Sequence, residues 1–245
     1  SFSSGTTSKG DSGSLYIGSG NALVGSGGSI SLTVGNGNTG NGGNMAIVAG
    51  RTSASSATGG HIEIASGEGS AANSGNVHIY TANAGTTGVS GMLVFSSGTS
   101  TSGDSGSISI GSGAATGGKG GDVTLTVGRG DTGSGGLLSI RAGQTTTTTT
   151  GTGGHLEIAS GDGTAKSSGN IHIYTPNAGT AGISGMLVFS SGTTSSGNSG
   201  SIQIGTGTAT GGRGGTLELT VGEGNSGTGG IMRMYAGDSS AATGG

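Results

Sequence analysis

Gly106-Ser-Ile-Ser-Ile-Gly-Ser-Gly113, followed by Ala114-Ala-Thr-Gly-Gly-Lys-Gly-Gly121, is the stretch that decides how this chain reads. With Gly106 as position zero, Ile108 and Ile110 take positions two and four, and small polar residues lie between them. Alternation at a period of two marks a half-buried strand, because successive side chains of a strand point to opposite faces. Gly121 then opens a second copy, with Val123 and Leu125 at the same two positions.

Moving outward, the same module recurs at steps of 15 to 18 residues. Its opening glycine stands at Gly13, Gly28, Gly43, Gly60, Gly75, Gly91, Gly106, Gly121, Gly136, Gly154, Gly169, Gly185, Gly200, Gly215 and Gly230. Position two is apolar in all fifteen modules, from Leu15 and Ile30 to Met232, and position four likewise, from Ile17 to Met234. Position six is small or Val, and position seven is Gly except at Ala82 and Pro176. No stripe at the helical period of 3.6 accompanies this pattern.

Six modules make a longer repeat. Phe2-Ser-Ser-Gly5 returns as Phe95-Ser-Ser-Gly98 and Phe189-Ser-Ser-Gly192, at spacings of 93 and 94 residues. The added residue falls where Arg51–Thr58 gives way to a stretch containing Thr145–Thr150. The super-repeats are 2–94, 95–188 and a partial third, 189–245.

Composition sharpens the choice of class. Gly, Ser and Thr supply 137 of 245 residues and charged residues only 8%, so without a period the chain would be assigned to disorder. With a period, the expectation is a repeat architecture. The expected fold is all-β: a flattened parallel β-solenoid of about 15 residues per rung, continuous over 1–245. At about 4.8 Å between rungs, six modules would advance roughly 29 Å. An up-and-down antiparallel barrel explains the alternation but not the common phase of every strand. In the solenoid register Ile64 and Leu125 point inward, and Glu63, Thr124 and His78 outward. Gly13 opens a regular module and Gly244-Gly245 resembles the start of another, so both ends read as uncapped, as in a segment of a longer solenoid or a protomer that stacks end to end.

The chain Thr81-Ala-Asn-Ala-Gly-Thr-Thr-Gly-Val-Ser-Gly-Met-Leu-Val-Phe-Ser-Ser-Gly98, together with 105–118, resembles the very long Gly/Ser/Thr-rich repeat proteins of diatoms and other microalgae. The resemblance covers essentially the whole chain. It implies a large extracellular repeat protein and carries no active site with it. Ser107-Ile-Ser-Ile-Gly111 is also similar to rungs of trimeric bacterial adhesin heads, over a shorter match.

Charge and residue inventory exclude several functions. A net charge of −3 with eight Lys and Arg leaves no footprint for nucleic acid. No apolar run reaches the roughly 18 residues of a membrane span, and no signal peptide is visible. The absence of Cys removes disulfides and thiolate sites. Gly113-x-x-x-x-Gly118-Lys119 approaches a phosphate-binding loop but has Gly120 where the magnesium-binding hydroxyl belongs. Arg129-Gly130-Asp131 spells an adhesion tripeptide, yet the corresponding turns read Asn36-Gly37-Asn38 and Glu223-Gly224-Asn225. Thr124-x-Thr126 is not repeated as an ice-binding ladder would require.

Histidine recurs at the long period, with His61, Glu63 and His78 matched by His155, Glu157 and His172. Two imidazoles and a carboxylate form a donor set for a metal. On a flat solvated face they read better as an acid–base ladder, so no metal and no cofactor is expected. No catalytic constellation stands out, and the expectation is a non-enzyme. Outer positions carry Met92, Val94, Met186 and Val188, with Tyr80 and Tyr174 one module away, and this apolar stripe reads as an assembly surface. The functional expectation is a structural protein that builds an extracellular fibril or surface layer with itself as partner. The alternative is an adhesive or glycan-binding solenoid on a cell surface, with the tyrosines facing sugar. Asn-x-Ser/Thr acceptors are absent, and the hydroxyl-rich loops Thr52–Thr58 and Thr145–Thr150 are the expected O-glycan sites.

Overall fold

The structure, a computed structural model, describes residues 2–146 and 151–240. Among them there is no helix and no β-strand; the backbone is irregular and punctuated by bends and turns. The parallel β-solenoid is thus not the architecture, and no antiparallel barrel takes its place. The reason lies in the module. Two large apolar side chains would have to offset the ordering of fifteen or more residues, each costing about 1–2 kcal/mol and the glycines more. The alternation is present, but no facing surface makes a core of it. Ile64 and Leu125 are 67% and 68% exposed rather than enclosed, and no described residue is buried.

The chain exposes 24103 Å². A compact chain of this mass would expose roughly 9,500 Å², and a fully extended one roughly 33,000 Å². Exposure still follows the module. Position-two side chains are 48–57% exposed, position-four side chains 54–85%, and the three valines at position six 42–45%.

What the period builds is a series of closed loops. In each module the chain leaves position seven, runs through a Gly-rich bend, and returns so that the next opening glycine lies against position six. Some closures are backbone hydrogen bonds. The Gly60 N–H donates to Gly50 O and the Gly75 N–H to Gly67 O, both at 2.9 Å; the Gly43 N–H donates to Gly35 O at 3.4 Å. Others use the position-six hydroxyl. Ser19 donates to Gly28 O at 2.8 Å and Thr81 to Gly91 O at 3.1 Å.

The approach is close enough to demand glycine. A Cβ on Gly28 would lie 3.1 Å from Ser19 Cβ, one on Gly136 would lie 2.7 Å from Val127 Cγ1, and one on Gly43 would overlap Val34. Gly42 and Gly135, the first members of their pairs, face open space. That asymmetry accounts for the sequence, where the first member becomes Ser74, Ser90 or Ser105 and the second stays glycine.

The chain divides into two units, Ser1–Thr124 and Leu125–Gly245. The closures just described for Gly60, Gly75 and Gly91 belong to the first. Within the second, Gly154 bonds to Gly143 O and Gly169 to Gly161 O at 2.9 Å, while Thr175 donates to Gly185 O at 3.1 Å. Gly13 has Ser4 Cβ at 3.5 Å from where its own Cβ would stand, the same relation as Gly106 to Ser97 and Gly200 to Ser191. Gly244 and Gly245, where the sequence reading placed an uncapped end, lie outside the described residues.

Candidate functional site

The ten residues Ser90-Gly-Met-Leu-Val-Phe-Ser-Ser-Gly-Thr99 recur without change as 184–193. Each copy places four apolar residues in succession, so both phases of the alternation are apolar at once. The local structure recurs with the sequence. The Gly98 N–H donates to Ser96 Oγ at 3.4 Å and the Gly192 N–H to Ser190 Oγ at 3.5 Å, and both glycines sit at φ +77°. The left-handed backbone at each of these glycines is one that only glycine adopts without strain. The chain bends only after it, at 101–103 and 195–197, and the four apolar side chains before it are exposed.

Met92 and Met186 are each 83% exposed, and Phe95 and Phe189 each 63%. Val94 and Val188 differ by one percentage point, at 63% and 64%. Tyr80 and Tyr174 are exposed as well. The sequence reading placed the methionines and valines on the outer face but assigned both phenylalanines to the core. The structure leaves the phenylalanines in solvent beside them. The exact ten-residue repeat was the available signal.

His61, Glu63, His78, His155, Glu157 and His172 are all exposed. Among the described residues no three of His, Cys, Asp and Glu come together as a metal-binding group. No cavity is enclosed by the described residues. Lys119 of the near phosphate-loop motif points its Nζ to Asp122, 2.9 Å from Oδ1, on an open surface. Arg129, Gly130 and Asp131 are exposed, and Asp131 opens a bend that runs to Ser134. In the loop 52–58, Thr52 Oγ1 accepts the Ala54 N–H at 3.2 Å. Of the run 145–150, residues 147–150 lie outside the described residues.

No described helix is long and apolar enough to cross a membrane. Comparison of the chain with protein families, with curated proteins and with solved structures gives no match.

Proposed function

We propose that this chain is a structural, non-catalytic repeat protein that associates with copies of itself into a fibril or surface layer outside the cell. The observation that carries the reading is the periodic exposure of its apolar side chains, two in every module at fixed positions. A single chain leaves them in water, where extended apolar patches mark association surfaces. A second copy presents the same side chains at the same spacing, so it is the partner with the best-matched surface. Low charge supports the reading too, since a net −3 over 245 residues opposes close approach of copies only weakly. The resemblance to algal Gly/Ser/Thr-rich repeat proteins supplies the extracellular setting.

Sedimentation velocity over about a hundredfold range of protein concentration, paired with electron microscopy of the same samples, tests the proposal. Growth of polymers with concentration, in the absence of any ligand, is the expected result. A monomer at every concentration that binds glycans saturably would overturn it in favour of an adhesive role.

A further inference from the structure

We infer that the four tyrosines, Tyr16, Tyr80, Tyr174 and Tyr235, are sites of oxidative cross-linking, at which a peroxidase using hydrogen peroxide joins copies of the chain through dityrosine. The inference goes beyond the non-covalent association proposed above and needs only an encounter between copies. These four are all the tyrosines of the chain, and they are 91%, 79%, 76% and 84% exposed. A tyrosine ordinarily buries much of its ring and hydrogen-bonds its hydroxyl. Here no phenol is hydrogen-bonded to a described residue, so each ring stands open to a partner. All four take odd positions of the module, three for Tyr16 and five for the others, the opposite phase to the apolar pair. His78-Ile-Tyr-Thr81 recurs unchanged as His172-Ile-Tyr-Thr175, and in both copies the threonine hydroxyl donates to a carbonyl, Gly91 O or Gly185 O, at 3.1 Å. Tyr80 and Tyr174 thus project from backbone pinned at a loop closure.

Composition directs the oxidation to these rings. One-electron oxidants also attack thiols and indoles, and the chain has no Cys and no Trp. Methionine takes an oxygen atom from peroxide in a two-electron step and forms no link. In the coupling, each of two phenols gives up one electron and one proton, and the two phenoxyl radicals join through ring carbons ortho to oxygen. The ortho hydrogens then move to the oxygens, and one hydrogen peroxide leaves as two waters. A covalent bond suits this surface. A contact through one module covers two large apolar side chains, far short of the roughly 1,200 Å² of a lasting interface, and a bond formed during such an encounter outlasts it. Two tyrosines lie in each unit of the chain, and each can couple whatever the placement of the others. More than two sites per chain make a branched network rather than a linear polymer.

The test treats the full chain with a haem peroxidase and hydrogen peroxide, and reads dityrosine by fluorescence, covalent multimers on denaturing gels, and the fraction that denaturant does not dissolve. The parent is expected to give dityrosine and an insoluble network. Y80F/Y174F should keep soluble linear multimers and lose the network, and replacement of all four tyrosines by phenylalanine should lose both. Phenylalanine keeps the ring and removes only a hydroxyl without a described partner, so without peroxide the variants should sediment as the parent does. An insoluble fraction unchanged in Y80F/Y174F, or dityrosine confined to single chains, would overturn the inference. A parent that is monomeric without peroxide yet forms the network would uphold the cross-link and overturn the non-covalent proposal. Acid hydrolysis of native material should release dityrosine, and its absence there would overturn the inference as well.

Discussion

Replacing Gly136 with Ala places a methyl group 2.7 Å from Val127 Cγ1, where carbon atoms in good contact stand about 3.5–4.0 Å apart. The overlap is about 1 Å, and Val127 is poorly placed to yield because a branched Cβ leaves few χ1 rotamers. Overpacking of this degree costs roughly 1–3 kcal/mol. Against it stands about 0.4–1 kcal/mol from the lower entropy of an open chain carrying alanine. The closed loop at Gly136 should lose roughly 0.5–2 kcal/mol, a twofold to thirtyfold fall in its population. Gly135→Ala supplies the control, because a Cβ there meets nothing within 4 Å. It carries the same entropic gain without the clash and should leave closure intact or slightly favoured. Nuclear Overhauser contacts between the Val127 methyls and the backbone protons of residue 136 report closure directly. They should fade in Gly136→Ala, persist in Gly135→Ala, and return in Gly136→Ala combined with Val127→Ala. Where alanine already holds position six the approach is looser: a Cβ on Gly154 would lie 3.4 Å from Ala142 Cβ and 3.2 Å from Gly143 N, against 2.7 Å from Val127 Cγ1 at Gly136. Equal behaviour of the two single alanines would refute the account of why the second glycine of each pair is fixed.

Other outcomes follow from the same geometry. Thr81→Val keeps the shape of the side chain but removes the hydroxyl that donates to Gly91 O, so that loop should open by about 0.5–1.5 kcal/mol, read as the same type of methyl-to-backbone contact; Thr175→Val should match it. Ser66→Ala should change little by comparison, because its loop closes through the Gly75 N–H and Gly67 O instead. Calorimetric titration of the full chain with zinc should give no stoichiometric site, since His61, Glu63 and His78 do not come together with another donor as a binding group, and a saturating one-to-one isotherm abolished by His78→Ala would refute this. Mass spectrometry of native material should find O-glycans on the hydroxyl loop 52–58, where residues 53–58 are exposed, and an unmodified loop would count against that expectation.

The period, the super-repeat and the fixed glycine were all readable from residues such as Gly106, Ile108 and Ile110. The fate of the apolar positions was not. Alternation states that Ile108 and Ile110 share a phase, but burial also needs a surface opposite them, and fifteen residues with two large side chains do not provide one. That is why Ile64, read as inward, stands in solvent, and why Phe95 and Phe189 do too. Position six shows the opposite case. Its restriction to small residues or Val was plain in Ser19, Val34 and Ala49, while the cause, the next opening glycine pressed against it, required coordinates.

The loop that differs between super-repeats shows which level of this organisation the sequence protects. From Gly50 to Gly60 the chain takes ten steps, and from Gly143 to Gly154 it takes eleven, yet both loops close with the same 2.9 Å bond. In a stacked coil an extra residue would have to be bulged out to keep the following strands in register, because a slip of one reverses every side chain. Here the extra residue is absorbed between two closure points, and the modules after it keep their local geometry: the Gly75 and Gly169 closures are also both 2.9 Å. Each module is thus specified by its own loop rather than by its neighbours.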